Sequence, residues 1–189
     1  MEWFKAAEKF NEALASSAPT PGGGAAAAMS ATMGCSLALM AGLTTQNRKT
    51  TLPQTKQKLE LSLRKLAALK TQLNHLIQED GNAYSAYLVA KQLPKEDPTR
   101  EQAIQTALLY AARIPTDTAT TAIQCLREID IIHDDIAPII LSDIQCARHL
   151  LKSAIRCCIE NIRANMVFIT DKESLKKLTQ QIDIFVKSC

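Results

Sequence analysis

The chain has 189 residues, 47% of them hydrophobic and 22% charged, with a formal net charge of +3, which is enough for one domain with a real core. Aromatics make up only 4%, so the core must rest on Ala, Leu, Ile and Met, which suits close-packed helices better than a sheet sandwich. Lys and Arg are spread along the chain with no basic stripe interleaved with aromatics, which argues against nucleic acid as a partner.

Helical periodicity recurs almost everywhere, and strand-like alternation is nearly absent. The expected fold is all-α: residues 1–189 as a single-domain helical bundle of about six or seven helices, with a small-residue-rich central helix. The first helix runs from Glu2 to Ala15 and carries Trp3, Phe4, Ala7, Phe10 and Leu14 at helical spacing. It does not read as a signal peptide, because no apolar run follows a basic start. "SSAPTPGGG" breaks it. A second helix is expected over Gly24–Leu43, inside a charge-free window from Ala13 to Asn47.

Along that helix, steps of four give Gly22, Ala26, Ser30, Gly34, Ala38 and Gly42, all small, so another backbone can approach closely. The neighbouring row is apolar: Met29, Met33, Leu37 and Met40. A helix with no polar face is buried in protein or lies in lipid. Large aliphatics are few here, and there is no Trp or Tyr belt, so a core helix surrounded on all sides, by its own chain or across a subunit interface, is expected and no membrane. The glycines that open it have two readings. They make an N-terminus with bare N–H groups for an anion or polar ligand, or they only turn the chain into a crowded bundle.

"TTQNRKTTLPQ" connects to a long helix from Gln54 toward Gln92, with Gly81 as the place for a bend. Its apolar seam is Leu59, Leu63, Leu66, Leu73, Ile77, Tyr84 and Tyr87, and Lys70 and Asp80 complete the series. Lys70 has a long stem and can snorkel outward. Asp80 has not, so its carboxylate is expected at a cavity wall with its pKa pushed upward by burial, or else as a cap or buried ion pair near Gly81.

After the turn "LPKEDPT", helices are expected over Arg100–Arg113, stopping before Pro115, and over Thr116–Ile129. "IDIIHDDIAPIIL" has no clear pattern. A further helix starts with Ser142 as N-cap and Gln145 closing a capping box, and reaches about Phe168. Its apolar face is Ile144, Ala147, Leu151, Ala154, Cys158, Ile162 and Ile169. Asn165 falls on that face, flanked by Asn161 and Arg163, and a buried Asn needs partners, structural or ligand. The last helix follows Asp171, a good N-cap, and ends near Lys187.

The six cysteines have no CxxC spacing, and Cys35, Cys125, Cys146 and Cys158 fall in apolar helical patterns. They read as reduced, mostly buried thiols of a cytosolic protein. The three histidines have no ligand spacing, so no metal site is expected.

Four ordered segments resemble one family. "SSAPTPGGGAAAAMSATMGCSLALMAGLT" resembles the N-terminal motif of the cyclodeaminase/cyclohydrolase family. "EDGNAYSAYLVAKQLPK" is similar to its Asp-x-x-Ala-Tyr/Phe segment, "AARIPTDTA" to its Ala-Ala-x-x-Pro-x-x-Thr-Ala segment, and "LSDIQCARHLLKSAIRCCIENIRANM" to its Ser-Asp helix. The chain departs from the family pattern after "GLT", where a Gly- and Lys-rich stretch is usual, and before "SD", where a Gly-Asn pair is usual.

The resemblance implies an all-helical, dimeric enzyme with a tetrahydrofolate derivative as substrate and no tightly bound cofactor. It puts the family's catalytic aspartate on Asp80, the residue that the seam singles out independently. The substrate-binding set expected is Pro21, Gly22, Gly23, Gly24, Tyr84, Lys91, Arg113, Asp143, Asn161, Arg163 and Asn165, with the basic members, or Lys95, meeting the glutamate tail. The expected activity is formiminotetrahydrofolate cyclodeaminase or methenyltetrahydrofolate cyclohydrolase, in a cytoplasmic homodimer. The alternative is a non-catalytic helical folate-binding or interaction protein.

Overall fold

The computed structural model describes the whole chain, Met1–Cys189. Six α-helices follow one another: α1 (Glu2–Leu14), α2 (Gly23–Gln46), α3 (Pro53–Gln92), α4 (Arg100–Ile132), α5 (Leu141–Met166) and α6 (Lys172–Lys187). Two single 3₁₀ turns, His133–Asp135 and Pro138–Ile140, occupy the stretch without a clear pattern. The expected all-helical architecture holds.

The bundle is built around α2, which packs against α5, α3 and α4. Its row of small residues works as the spacing implied. A Cβ on Gly34 would come within 2.9 Å of the Ala147 carbonyl oxygen on α5, and one on Gly42 within 2.6 Å of Leu63 Cδ2 on α3. Ala28, Ala31, Cys35, Ala38 and Ala41 are fully buried between these neighbours. The helix is not surrounded on all sides within the chain, however. Met33, Met40 and Leu43 are 47%, 38% and 45% exposed, so one charge-free stripe lies open. By length and composition α2 could cross a membrane, but half of its most apolar window is covered by the other helices.

The antiparallel pair α3–α4 turns at Leu93–Thr99, where Arg100 Nε donates to the Leu93 carbonyl at 3.1 Å. Along α3 the predicted seam is buried at Leu59, Leu63, Leu66 and Leu73. Past Leu73 the core stripe continues instead through Leu76, Ala83 and Ala90, while Tyr84 and Tyr87 turn to a cavity. The helix runs unbroken past Gly81.

Pro115 does not end a helix. The two predicted segments form one helix, α4, with Pro115 buried inside it. Burial explains the tolerance: α4 is packed on α2, α3 and α5, and its polar side chains are satisfied locally. Thr116, Thr118 and Thr121 each turn their hydroxyl onto the carbonyl four residues back, at 2.8, 2.9 and 2.8 Å.

At the start of α5 the capping box fails. The helix begins at Leu141, and its N-cap position, Ile140, makes no side-chain cap bond. The preceding 3₁₀ turn runs directly into the helix and displaces Ser142 into the first turn. Asp171 does cap α6, accepting from Ser174 N at 2.8 Å. Cys35, Cys125 and Cys158 are buried as expected, whereas Cys146 is exposed because α5 turns that side outward. α1 stands apart: none of its residues is buried, and it makes no extended contact with another helix.

Candidate active site

A cavity of about 260 Å³ lies where the N-terminus of α2, the middle of α3 and the end of α5 meet, with Asp80 in its wall. Asp80 Oδ2 accepts from the backbone N–H of Ala25 at 2.9 Å. Its other oxygen takes no hydrogen bond from the chain. Asp80 therefore caps a helix, but it is α2 across the site, not its own. Burial pushes its carboxyl above the ordinary carboxylate range, and the Ala25 bond opposes this without cancelling it.

The glycine run follows from this approach. A Cβ on Gly24 would overlap Asp80 Oδ1 and stand 2.6 Å from its carboxyl carbon. A Cβ on Gly23 would lie 3.3 Å from Asn161 Oδ1. Only bare backbone lets the start of α2 sit against both side chains. The N–H groups of Gly23 and Gly24, in the first turn of α2, have no intrahelical acceptor and give this end partial positive charge.

Two amides from α5 complete the wall. Asn161 Nδ2 donates to the Cys157 carbonyl at 2.8 Å. Asn165 Nδ2 donates to the Asn161 carbonyl at 3.0 Å and to the Ala111 carbonyl of α4 at 3.4 Å. The second bond has a local cause. Ala111 lies four residues before Pro115, whose missing N–H would have bonded that carbonyl. Asn165 takes its place, which accounts for a polar residue on an apolar face. Both hydrogens of the Asn165 amide and one of the two on Asn161 are thus committed to the protein, and no chain donor bonds either amide oxygen, so the oxygens remain as acceptors.

Of the predicted residues, Gly22, Gly23, Gly24, Asp80, Tyr84, Asn161 and Asn165 line this one cavity, and Pro21 lies between Thr20 and Gly22, which also line it. Four do not. Lys91 lies over the Tyr87 ring at 5.9 Å, outside the wall. Arg113 stacks on Tyr110 at 5.2 Å, away from the cavity. Arg163 is paired with Glu160 at 2.8 Å on the outer side of α5. Asp143 sits at the opposite end of α5 from Asn161, about 27 Å along the helix at its usual rise. Asp80 is the only charged residue in the wall. Sequence reasoning missed Ala111, Leu108 and Phe168 as lining residues; Pro115 was the available signal for the free Ala111 carbonyl.

The sequence matches the family model described as formiminotransferase-cyclodeaminase over residues 6–184. It is 29% identical over 184 residues to formimidoyltransferase-cyclodeaminase of Sus scrofa, an alignment covering 92% of this chain and 32% of that protein. It is 31% identical over 179 residues to methenyltetrahydrofolate cyclohydrolase of Methylorubrum extorquens, covering 90% of this chain and 86% of that protein. The chain thus spans about a third of the animal relative and most of the bacterial one. The fold matches the crystal structure of formiminotetrahydrofolate cyclodeaminase from Thermotoga maritima, with a TM-score of 0.86 at 22% identity, over 96% of this chain and 88% of that one.

Proposed function

Since the chain belongs to the formiminotransferase-cyclodeaminase family, we propose that it is a folate enzyme acting on the one-carbon unit between N5 and N10 of tetrahydrofolate, as cyclodeaminase or cyclohydrolase. The observation that carries this is Asp80: a carboxyl of raised pKa, with one oxygen held by Ala25 N–H and the other free toward the cavity.

In cyclodeamination, N10 attacks the formimino carbon on N5, and the tetrahedral intermediate collapses when its amino nitrogen is protonated and leaves as ammonia. In the cyclohydrolase direction, water adds to the methenyl carbon, and protonation of a ring nitrogen opens the bridge. Both reactions need one group that gives a proton to a chosen nitrogen and takes one back. A carboxyl whose pKa is raised by burial does this, and such catalysis is worth roughly 10²–10⁴-fold. No tightly bound cofactor is required.

The cavity suits the pterin end of the substrate. Its amide oxygens at Asn161 and Asn165 match the N–H donors of a reduced pterin. The tail then leaves past Tyr84 and Phe168, which are 37% and 61% exposed, toward Lys91 or, from a partner, the charged ends of other helices. Residues 1–189 act as one helical catalytic domain, in the cytoplasm and as a homodimer. The open stripe of Met33, Met40 and Leu43 on α2 supports the dimer, because a contiguous apolar patch marks an interaction surface.

The test is the absorbance of the methenyl band with purified protein. Loss of the band above the buffer rate identifies a cyclohydrolase. Growth of the band from 5-formiminotetrahydrofolate, with ammonia release, identifies a cyclodeaminase. Asp80→Asn is expected to cost roughly 10²–10⁴-fold in turnover; unchanged turnover removes Asp80 from the mechanism. Neither activity nor folate binding would leave the helical interaction protein.

A further inference from the structure

The cavity around Asp80 measures about 260 Å³, below the roughly 300–1,000 Å³ of sites that enclose a whole ligand of drug size. On the folate reading it has room for the pterin and the reacting carbon, and the rest of the substrate stays at its mouth. N10 is bonded directly to the aryl ring that carries the glutamate tail, so that ring is the first group outside. In a chain with four Phe, three Tyr and one Trp, Tyr84, Tyr87 and Phe168 all line this one cavity. Lys91 already lies over the Tyr87 ring at 5.9 Å. Phe168 is 61% exposed and stacks on no other ring, since the one aromatic pair of the molecule is Trp3–Phe4.

Phe168 sits in the short turn between α5 and α6, yet its backbone is pinned on both sides. Its N–H donates to the Asn165 carbonyl at 3.1 Å. Gln105, on α4, grips the turn with its amide. Nε2 donates to the Phe168 carbonyl at 3.1 Å, and Oε1 accepts from Thr170 N–H at 3.0 Å. Nε2 also donates to Glu101 Oε1 at 3.3 Å, which fixes the orientation of the amide. Ile169, between the two gripped groups, is buried. The clasp lies at the surface, where water would satisfy the same backbone groups, so it adds order to the turn more than stability.

We propose that Phe168 is the face on which the substrate's aryl ring stacks, and that Gln105 is the positioning residue that holds Phe168 at the mouth. Gln105 does not line the cavity, so it acts only through the turn. An exposed phenyl face offset-stacks on an aryl ring. A face fixed before binding loses less conformational freedom when the substrate arrives, which favours affinity. The assignment rests on the folate reading above, and the test separates the two.

The measurement is steady-state turnover by the full-length chain, with methenyltetrahydrofolate or 5-formiminotetrahydrofolate. Phe168→Ala is expected to raise KM about 10-fold and to change kcat much less, because stacking binds ground state and transition state alike. Phe168→Tyr keeps the ring and should recover most of the affinity. Phe168→Leu keeps apolar bulk without a flat face and should not. Gln105→Ala should raise KM in the same direction by about 3-fold, and should add nothing further in the Phe168→Ala background. An unchanged KM in Phe168→Ala, or recovery by Leu as complete as by Tyr, overturns the stacking face and leaves the folate reading standing. Gln105→Ala without effect, or with an effect that adds to that of Phe168→Ala, overturns the positioning role. A wild-type chain that neither turns over nor binds either folate overturns both readings.

Discussion

Gly24 and Gly81 are the same residue under opposite constraints. A Cβ at position 24 runs into the Asp80 carboxyl, whereas one at position 81 meets nothing within 4 Å. Gly24→Ala is therefore expected to break the Ala25–Asp80 approach, lowering stability by about 1–3 kcal/mol and activity with it. Gly81→Ala is expected to stabilise α3 by about 0.5–1 kcal/mol, since it only removes backbone freedom from a helix interior. Denaturant unfolding of the two variants checks both. Asp80 has its own signature. Its folded pKa is raised by burial, so the native state holds the proton more tightly than the unfolded chain. Its contribution to stability is complete below the ordinary carboxylate pKa and is lost as pH rises through the folded value. Asn cannot titrate, and its Oδ1 can still accept from Ala25 N. Asp80→Asn should therefore gain stability relative to wild type as pH rises through that value, while turnover falls. A constant difference across pH would show that the carboxyl carries no burial cost.

At the scale of elements, α4 and α5 are coupled through a proline. Pro115 frees the Ala111 carbonyl, and Asn165 reaches it from the next helix. Asn165→Leu should cost about 1–3 kcal/mol by leaving that carbonyl unpaired. In a Pro115→Ala background, where residue 115 supplies its own N–H, the cost should be smaller. A double-mutant cycle is expected to give a coupling of about 0.5–3 kcal/mol, and additivity would refute the link. Helix starts divide in the same way. Asp171→Ala should cost about 1 kcal/mol, because its carboxylate caps α6. Ser142→Ala should change thermal stability little, since no cap bond depends on it.

At the scale of the whole molecule, the α2 stripe of Met33, Met40 and Leu43 stays open. Met33→Glu together with Met40→Glu puts charge on that stripe without touching the core, since both side chains are exposed. These changes are expected to shift the mass measured by light scattering toward monomer at a given concentration while helix content is retained. Undiminished dimer would place the interface elsewhere. One chain alone gathers Asp80, both asparagines and the glycine turn, but no basic residue lines the cavity. The tail of the substrate must find its charge partners outside it.

The sequence by itself determined what short-range physics encodes. Periodicity fixed the helical class and the apolar face of α5; the small-residue row fixed the tight packing of α2; and a carboxylate on an apolar seam marked Asp80. Tertiary structure decided the rest, because each remaining question turned on a partner far along the chain. Pro115 reads as a helix end until neighbouring helices bury it and Asn165 takes up the freed carbonyl. The glycines read equally as a turn or a cradle until Asp80 and Asn161 are found against them. Lys91, Arg113 and Arg163 have suitable chemistry, but only the direction of each helix face shows that they lie outside the cavity wall, whereas the distance of Asp143 from Asn161 was legible in their spacing along one helix. No local pattern carries that direction, since it is set by how α3, α4 and α5 rotate to bury their own apolar sides.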